Sequence, residues 1–119
     1  MKKVLLAGLL VLFLSSLAFA QMDDRIPMTG TIVDRASMDK NKDNLAAFLT
    51  TYTKDDALTP EAMKSGYGIW LQDSFMRFDK ASNAMIEDFF KKPDSTVQVI
   101  VQVFIEEGNV LSIVSIQNK

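Results

Sequence analysis

The stretch Thr96-Val-Gln-Val-Ile-Val-Gln-Val-Phe-Ile105 constrains the fold more than any other part of the chain. Side chains of an extended strand alternate between two faces, so Val97, Val99, Val101 and Val103 share one face and Gln98, Ile100, Gln102 and Phe104 the other. A valine row of that length belongs against a core. Glu107-Gly-Asn109 then reads as a tight turn, and Val110 to Ile116 as the returning strand.

Three further extended segments can be placed upstream. Met28-Thr-Gly-Thr-Ile-Val-Asp34 is rich in β-formers, with Gly30 permitting a bend or a close backbone approach. Tyr67-Gly-Ile-Trp-Leu71 and Phe75-Met-Arg-Phe78 flank the turn residues Gln72-Asp73-Ser74 and form a short hairpin.

Helical signals fill the gaps. Leu45, Phe48, Leu49 and Tyr52 lie at i, i+3, i+4 and i+7, predicting one helix that starts near Asp43 or Asn44 after a polar loop. Thr59 suits an N-cap, Pro60 the first helical position and Glu61 the positive helix end, while Gly66 stops that turn with positive φ. Asp79 caps a third helix whose Ala81, Met85, Ile86, Phe89 and Phe90 share one side, with Lys91 and Lys92 at its negative end and Pro93 as terminator.

The predicted fold is therefore mainly β with helices. Five strands with a helix between the third and fourth follow the order of an OB-fold-like barrel, with a helical insertion between strands one and two. An α+β sheet with helices packed on one face is the alternative.

The N-terminal segment reads as an address. Lys2 and Lys3 precede an apolar run from Val4 to Leu14 and a small-x-small ending at Ala18-Phe19-Ala20, the grammar of a signal peptide over residues 1–20, cleaved before Gln21. The run is shorter than the ~20 residues of a spanning helix. The expected product is periplasmic or secreted, with a loose leader over 21–27 and one domain over 28–119. Two of the thirteen basic residues lie in the signal, leaving eleven against fifteen acids and a net charge of −4. That balance, without a basic cluster, argues against a nucleic-acid partner.

The chain has no histidine and no cysteine. That removes Cys and His nucleophiles, Ser-His-Asp triads, the usual zinc sites and disulfides. The adjacent acids Asp23/Asp24, Asp55/Asp56, Glu87/Asp88 and Glu106/Glu107 read as solvated charge, and no spacing builds a glycosidase-like carboxylate pair. Asp39, Asn41 and Asp43 alternate as in the first half of an EF-hand loop. However, Asn44 stands at the glycine position, Thr50 at that of the bidentate glutamate, and Lys40 and Lys42 oppose a cation. No enzymatic activity, cofactor or metal is expected.

From Gly30 to Ile116 the chain resembles a group of small, exported, largely uncharacterised bacterial proteins with an OB-like domain. The resemblance rests on Gly30-Thr-Ile-Val-Asp34, Ser65-Gly-Tyr-Gly68, Phe78-Asp79, Val97 to Val103 and Val114-Ser-Ile116. Several relatives carry a histidine and two cysteines ahead of the S-G-Y-G motif, where this chain has Tyr52, Asp56 and Ala62 or a near neighbour. The resemblance thus implies a scaffold whose common denominator is binding or packing.

The leading expectation is an exported binding or adaptor module without catalysis. OB barrels bind on the face of strands two and three, which here holds Tyr67, Trp70, Phe75 and Arg77 and would suit a small molecule, a saccharide or a peptide strand. The competing reading packs Tyr67 and Trp70 into the barrel. The alternative function is a structural or interaction domain that self-associates, or binds an envelope protein, through Ile100 and Phe104 on an exposed face of strand four.

Overall fold

A computed structural model describes residues 24–119; the expected signal peptide and the first part of the leader lie outside them. The element order is β1 (Ile26–Asp34), α1 (Arg35–Lys40), a 3-10 turn (Lys42–Asn44), α2 (Leu45–Leu49), α3 (Lys54–Ala57), α4 (Pro60–Ser65), β2 (Tyr67–Trp70), β3 (Phe75–Arg77), α5 (Lys80–Phe90), β4 (Gln98–Glu106) and β5 (Val110–Asn118). No helix among the described residues is long and apolar enough to cross a membrane.

The strands form one five-stranded antiparallel sheet in the order β3-β2-β1-β4-β5. The expected barrel is not closed. Its two borders, β3 and β5, are not paired; just past β3, Phe78 makes one isolated parallel bridge to Leu111, beside which the Asp79 N–H donates to the Leu111 carbonyl at 2.9 Å. The physical reason is length: β3 spans three residues, and the chain then turns away at Asp79 to begin α5.

β1 holds the sheet together by changing partners along its length. Ile26 to Thr31 pair with β4, and Thr31 to Asp34 pair with β2. The strand begins at Ile26, so Ile26 and Pro27 belong to the sheet and not to the leader. Gly30 sits at the changeover. A Cβ there would collide with the Trp70 carbonyl oxygen and reach within 2.9 Å of Ile69, so the backbones approach too closely for any other residue.

The valine row forms the floor of the core. Val99, Val101 and Val103 are fully buried with Ile32, Ile69, Tyr67, Ile86, Phe90 and Leu111. A β-bulge between Gln102 and Val103 leaves Val114 without a partner opposite and exposed.

α5 closes this core, though rotated from the sequence expectation. Ser82, Ile86, Phe89 and Phe90 are buried, whereas Ala81 and Met85 are exposed. The serine is inside because its hydroxyl accepts the Ile113 N–H at 2.7 Å, satisfying a buried backbone donor of β5. Asp79 caps the helix by accepting the Ser82 N–H at 2.8 Å. Burial works against the ionised form of Asp79, but hydrogen bonding with Ser82 and Ser112 outweighs it and holds the carboxyl below its ordinary range.

The insertion between β1 and β2 is a chain of short helices, not the single longer helix expected. α2 ends at Leu49, and Tyr52 lies beyond it, yet Phe48, Leu49 and Tyr52 still pack inward. α4 follows its sequence grammar: Thr59 Oγ accepts the Ala62 N–H at 3.2 Å, and Gly66 ends the helix at φ 83°.

Candidate functional site

A cleft of about 980 Å³ lies between the insertion and the open side of the sheet, lined by α1, Ser65, β3 and the β4–β5 turn. α1 follows from the residues before it. Asp34 ends β1 with extended backbone and its Oδ2 accepts the Ser37 N–H at 2.9 Å, which starts a helix directly off the strand. The Arg35 N–H donates to the Gly66 carbonyl at 2.8 Å and the Ala36 N–H to Ser65 Oγ at 3.2 Å. α1 is thereby fastened to the end of α4, and Arg35, Met38 and Asp39 face the cleft.

The opposite wall is β3, a border strand. Leu71 N–H donates to the Ser74 carbonyl at 2.9 Å and Phe78 N–H to the Tyr67 carbonyl at 3.0 Å. Bonded pairs in an antiparallel ladder fall on alternate residues, so Phe75 and Arg77 turn their main-chain groups away from β2. Phe75 lies across Gly68, where a Cβ would collide with its ring and come within 2.7 Å of the Met76 carbonyl. Gly108 and Asn109, both with positive φ, form the third wall at the β4–β5 turn.

The structure divides the four aromatic and basic residues expected to bind ligand. Phe75 and Arg77 line the cleft. Trp70 is half-buried, pairs with Phe75 across the hairpin and packs against the core. Tyr67 is fully buried and makes an edge contact with Phe90, and its hydroxyl donates to the Ala57 carbonyl at 2.5 Å. It is a core residue. Burial, with Glu87 and Asp34 adding negative charge nearby, raises its phenol above the ordinary range.

Asp39, Asn41 and Asp43 are not drawn together as ligands. Asp39 faces the cleft from α1, the Asn41 amide donates to the Ser37 carbonyl at 2.8 Å, and Asp43 belongs to the 3-10 turn. Among the described residues no group of three or more His, Cys, Asp or Glu side chains converges as a metal site would. On β4, Phe104 is 40% exposed while Ile100 is half-buried.

Sequence reasoning missed Arg35. The local signal was Asp34 followed by Ser37, a helix start with only Ala36 and Met38 as apolar residues. Comparison of the chain with protein-family models, with curated proteins and with solved structures finds no match.

Proposed function

We propose that the protein is an exported, non-enzymatic binding module of the cell envelope, built on an open OB-like sheet, with its ligand held in the cleft beside β3. The observation that carries this reading is the cleft itself: one wall is a sheet border with outward main-chain groups, and Phe75 and Arg77 stand on it. The strand order supports the OB-like description, since β1 serves both halves and Phe78, just past β3, bridges in parallel to Leu111 of β5. The grammar of residues 1–20 supports export. A chain without histidine or cysteine favours recognition over catalysis.

The test is amide shift mapping of the protein against an envelope-ligand panel, with Trp70 fluorescence as a second reporter. Shifts confined to α1, β3 and the β4–β5 turn are expected. A ligand that shifts only residues elsewhere overturns the reading.

A second reading is favoured by one observation. Phe104, Ile105 and Val114 are 40%, 44% and 39% exposed on the β4–β5 hairpin, a setting for contact with another protein or a second copy. Mass measured across a concentration series separates the two: a monomer throughout removes self-association, and a dimer lost on Phe104→Glu supports it.

A further inference from the structure

We infer that the cleft is built for an amphipathic organic anion, a carboxylate or phosphate ester on a small apolar body, with Arg35 and Arg77 as the anion-holding pair. This rests on the cleft being the binding site. Two arginines from different elements line one cavity, against a single acid, Asp39, in a chain of net negative charge. The one ion pair among the described residues is Lys40 with Glu61, so neither guanidinium is matched to a carboxylate. Two exposed arginines against one acid make this lining net positive, and the planar fork of arginine fits carboxylate and phosphate oxygens with paired hydrogen bonds.

Both arginines are anchored through their backbones. Arg35 follows Asp34, whose carboxyl is fixed by Tyr52 and Ser37, and its own N–H is bonded to Gly66. Arg77, whose own main-chain groups face away from β2, is kept opposite Gly68 by its neighbour, since the Phe78 N–H donates to the Tyr67 carbonyl. Such anchoring reduces the ordering that binding requires. The lining also includes Met38 and Phe75, both half-buried, which offer polarizable apolar surface to the body of the ligand.

The experiment titrates the protein with phenyl phosphate, octanoate, inorganic phosphate and benzyl alcohol, reading amide shifts and heat. Phenyl phosphate and octanoate should bind at α1 and β3 more tightly than either inorganic phosphate or the neutral alcohol, and more weakly as salt rises. Arg35→Gln and Arg77→Gln should each weaken binding roughly ten- to a hundredfold, with thermal midpoints unchanged. Arg77→Lys, which keeps charge but not the fork, should fall between. Equal binding of benzyl alcohol, or a double glutamine variant that binds phenyl phosphate like the parent, overturns the anion assignment while leaving the cleft as a binding site. Inorganic phosphate binding as tightly as phenyl phosphate overturns the amphipathic part. If no probe moves an amide in the cleft, the anion assignment falls, and the binding reading is decided separately by the envelope-ligand panel.

Discussion

The hydroxyl of Tyr52 donates to Oδ1 of Asp34 at 2.6 Å and in return accepts the Asp34 N–H at 3.1 Å, a closed two-bond contact between residues 18 apart in sequence. Both residues are buried, so the contact ties the helical insertion to the end of β1 at the point where α1 and the cleft wall begin.

Replacing Tyr52 with Phe keeps the ring contact with Phe48 but leaves a buried N–H and a carboxyl oxygen without partners. The expected loss is about 2 kcal/mol or more in urea unfolding. Amide shifts in the variant should concentrate on α1. A stability equal to the parent's would show that the contact is not made in solution.

Alkaline pH should destabilise the fold. The chain has two tyrosines, both buried, and burial raises both phenols; at Tyr52 the hydrogen bond with Asp34 adds to this. In the unfolded chain phenols ionise near pH ~10, so unfolding above that pH releases protons. The stabilisation is complete below pH ~10 and is lost as pH rises further. Tyrosinate absorbance should therefore appear only together with loss of the circular dichroism of the fold. The acid side has the opposite sign. The carboxyl of Asp79 sits below its ordinary range, so its contribution is present above pH ~4 and fades as pH falls through its lowered value.

Gly68→Ala places a methyl against the tip of the Phe75 ring and against the Met76 carbonyl, a backbone atom that cannot swing aside. We expect a loss of about 1–3 kcal/mol and a displaced Phe75. Chemical denaturation and the aromatic proton shifts of Phe75 read the two effects. An alanine variant of full stability with an unmoved Phe75 contradicts the close packing of this hairpin.

Ser82→Ala removes the acceptor for the buried Ile113 N–H. The expected cost is about 1–3 kcal/mol, with faster hydrogen exchange at Ile113 than at its neighbours on β5. Unchanged exchange there is the outcome that counts against the bond.

Lys54 reaches across to the C-terminal end of α5, where its Nζ donates to the carbonyls of Lys92 and Pro93, both at 2.8 Å, and to Ser95 Oγ at 3.3 Å. Lys54→Met keeps the aliphatic stem and deletes these bonds. A loss of about 1 kcal/mol is expected by thermal unfolding, with added protease sensitivity near Pro93; a variant with the parent's midpoint would show the bonds to be idle.

The extended segments were legible because period-two alternation and turn residues act locally. Val99, Val101 and Val103 are buried as the pattern requires, and Gly108 and Asn109 turn as their residue types allow. Thr59, Gly66 and Asp79 likewise announced their helix ends. What could not be read depends on groups distant in sequence. Nothing around Tyr52 says that Asp34 will meet it, and nothing around Ser82 says that a β5 amide will need its oxygen. The small rotation of α5 that buries Ser82 and exposes Ala81 follows from that need, not from apolar periodicity. The β3 wall of the cleft was visible in Phe75 and Arg77. Arg35 was hidden because a six-residue helix whose apolar residues, Ala36 and Met38, are two apart carries no helical period to detect.

The bridge between Phe78 and Leu111 leaves the sheet as a collar fastened by one stitch. On one rim of the gap stands a three-residue strand, on the other a reversal at Gly108 and Asn109 that touches no buried side chain through its glycine. Residues added to or taken from that reversal would widen or narrow the mouth without disturbing the valine floor, so the binding proposed for the cleft could be retuned at that rim alone.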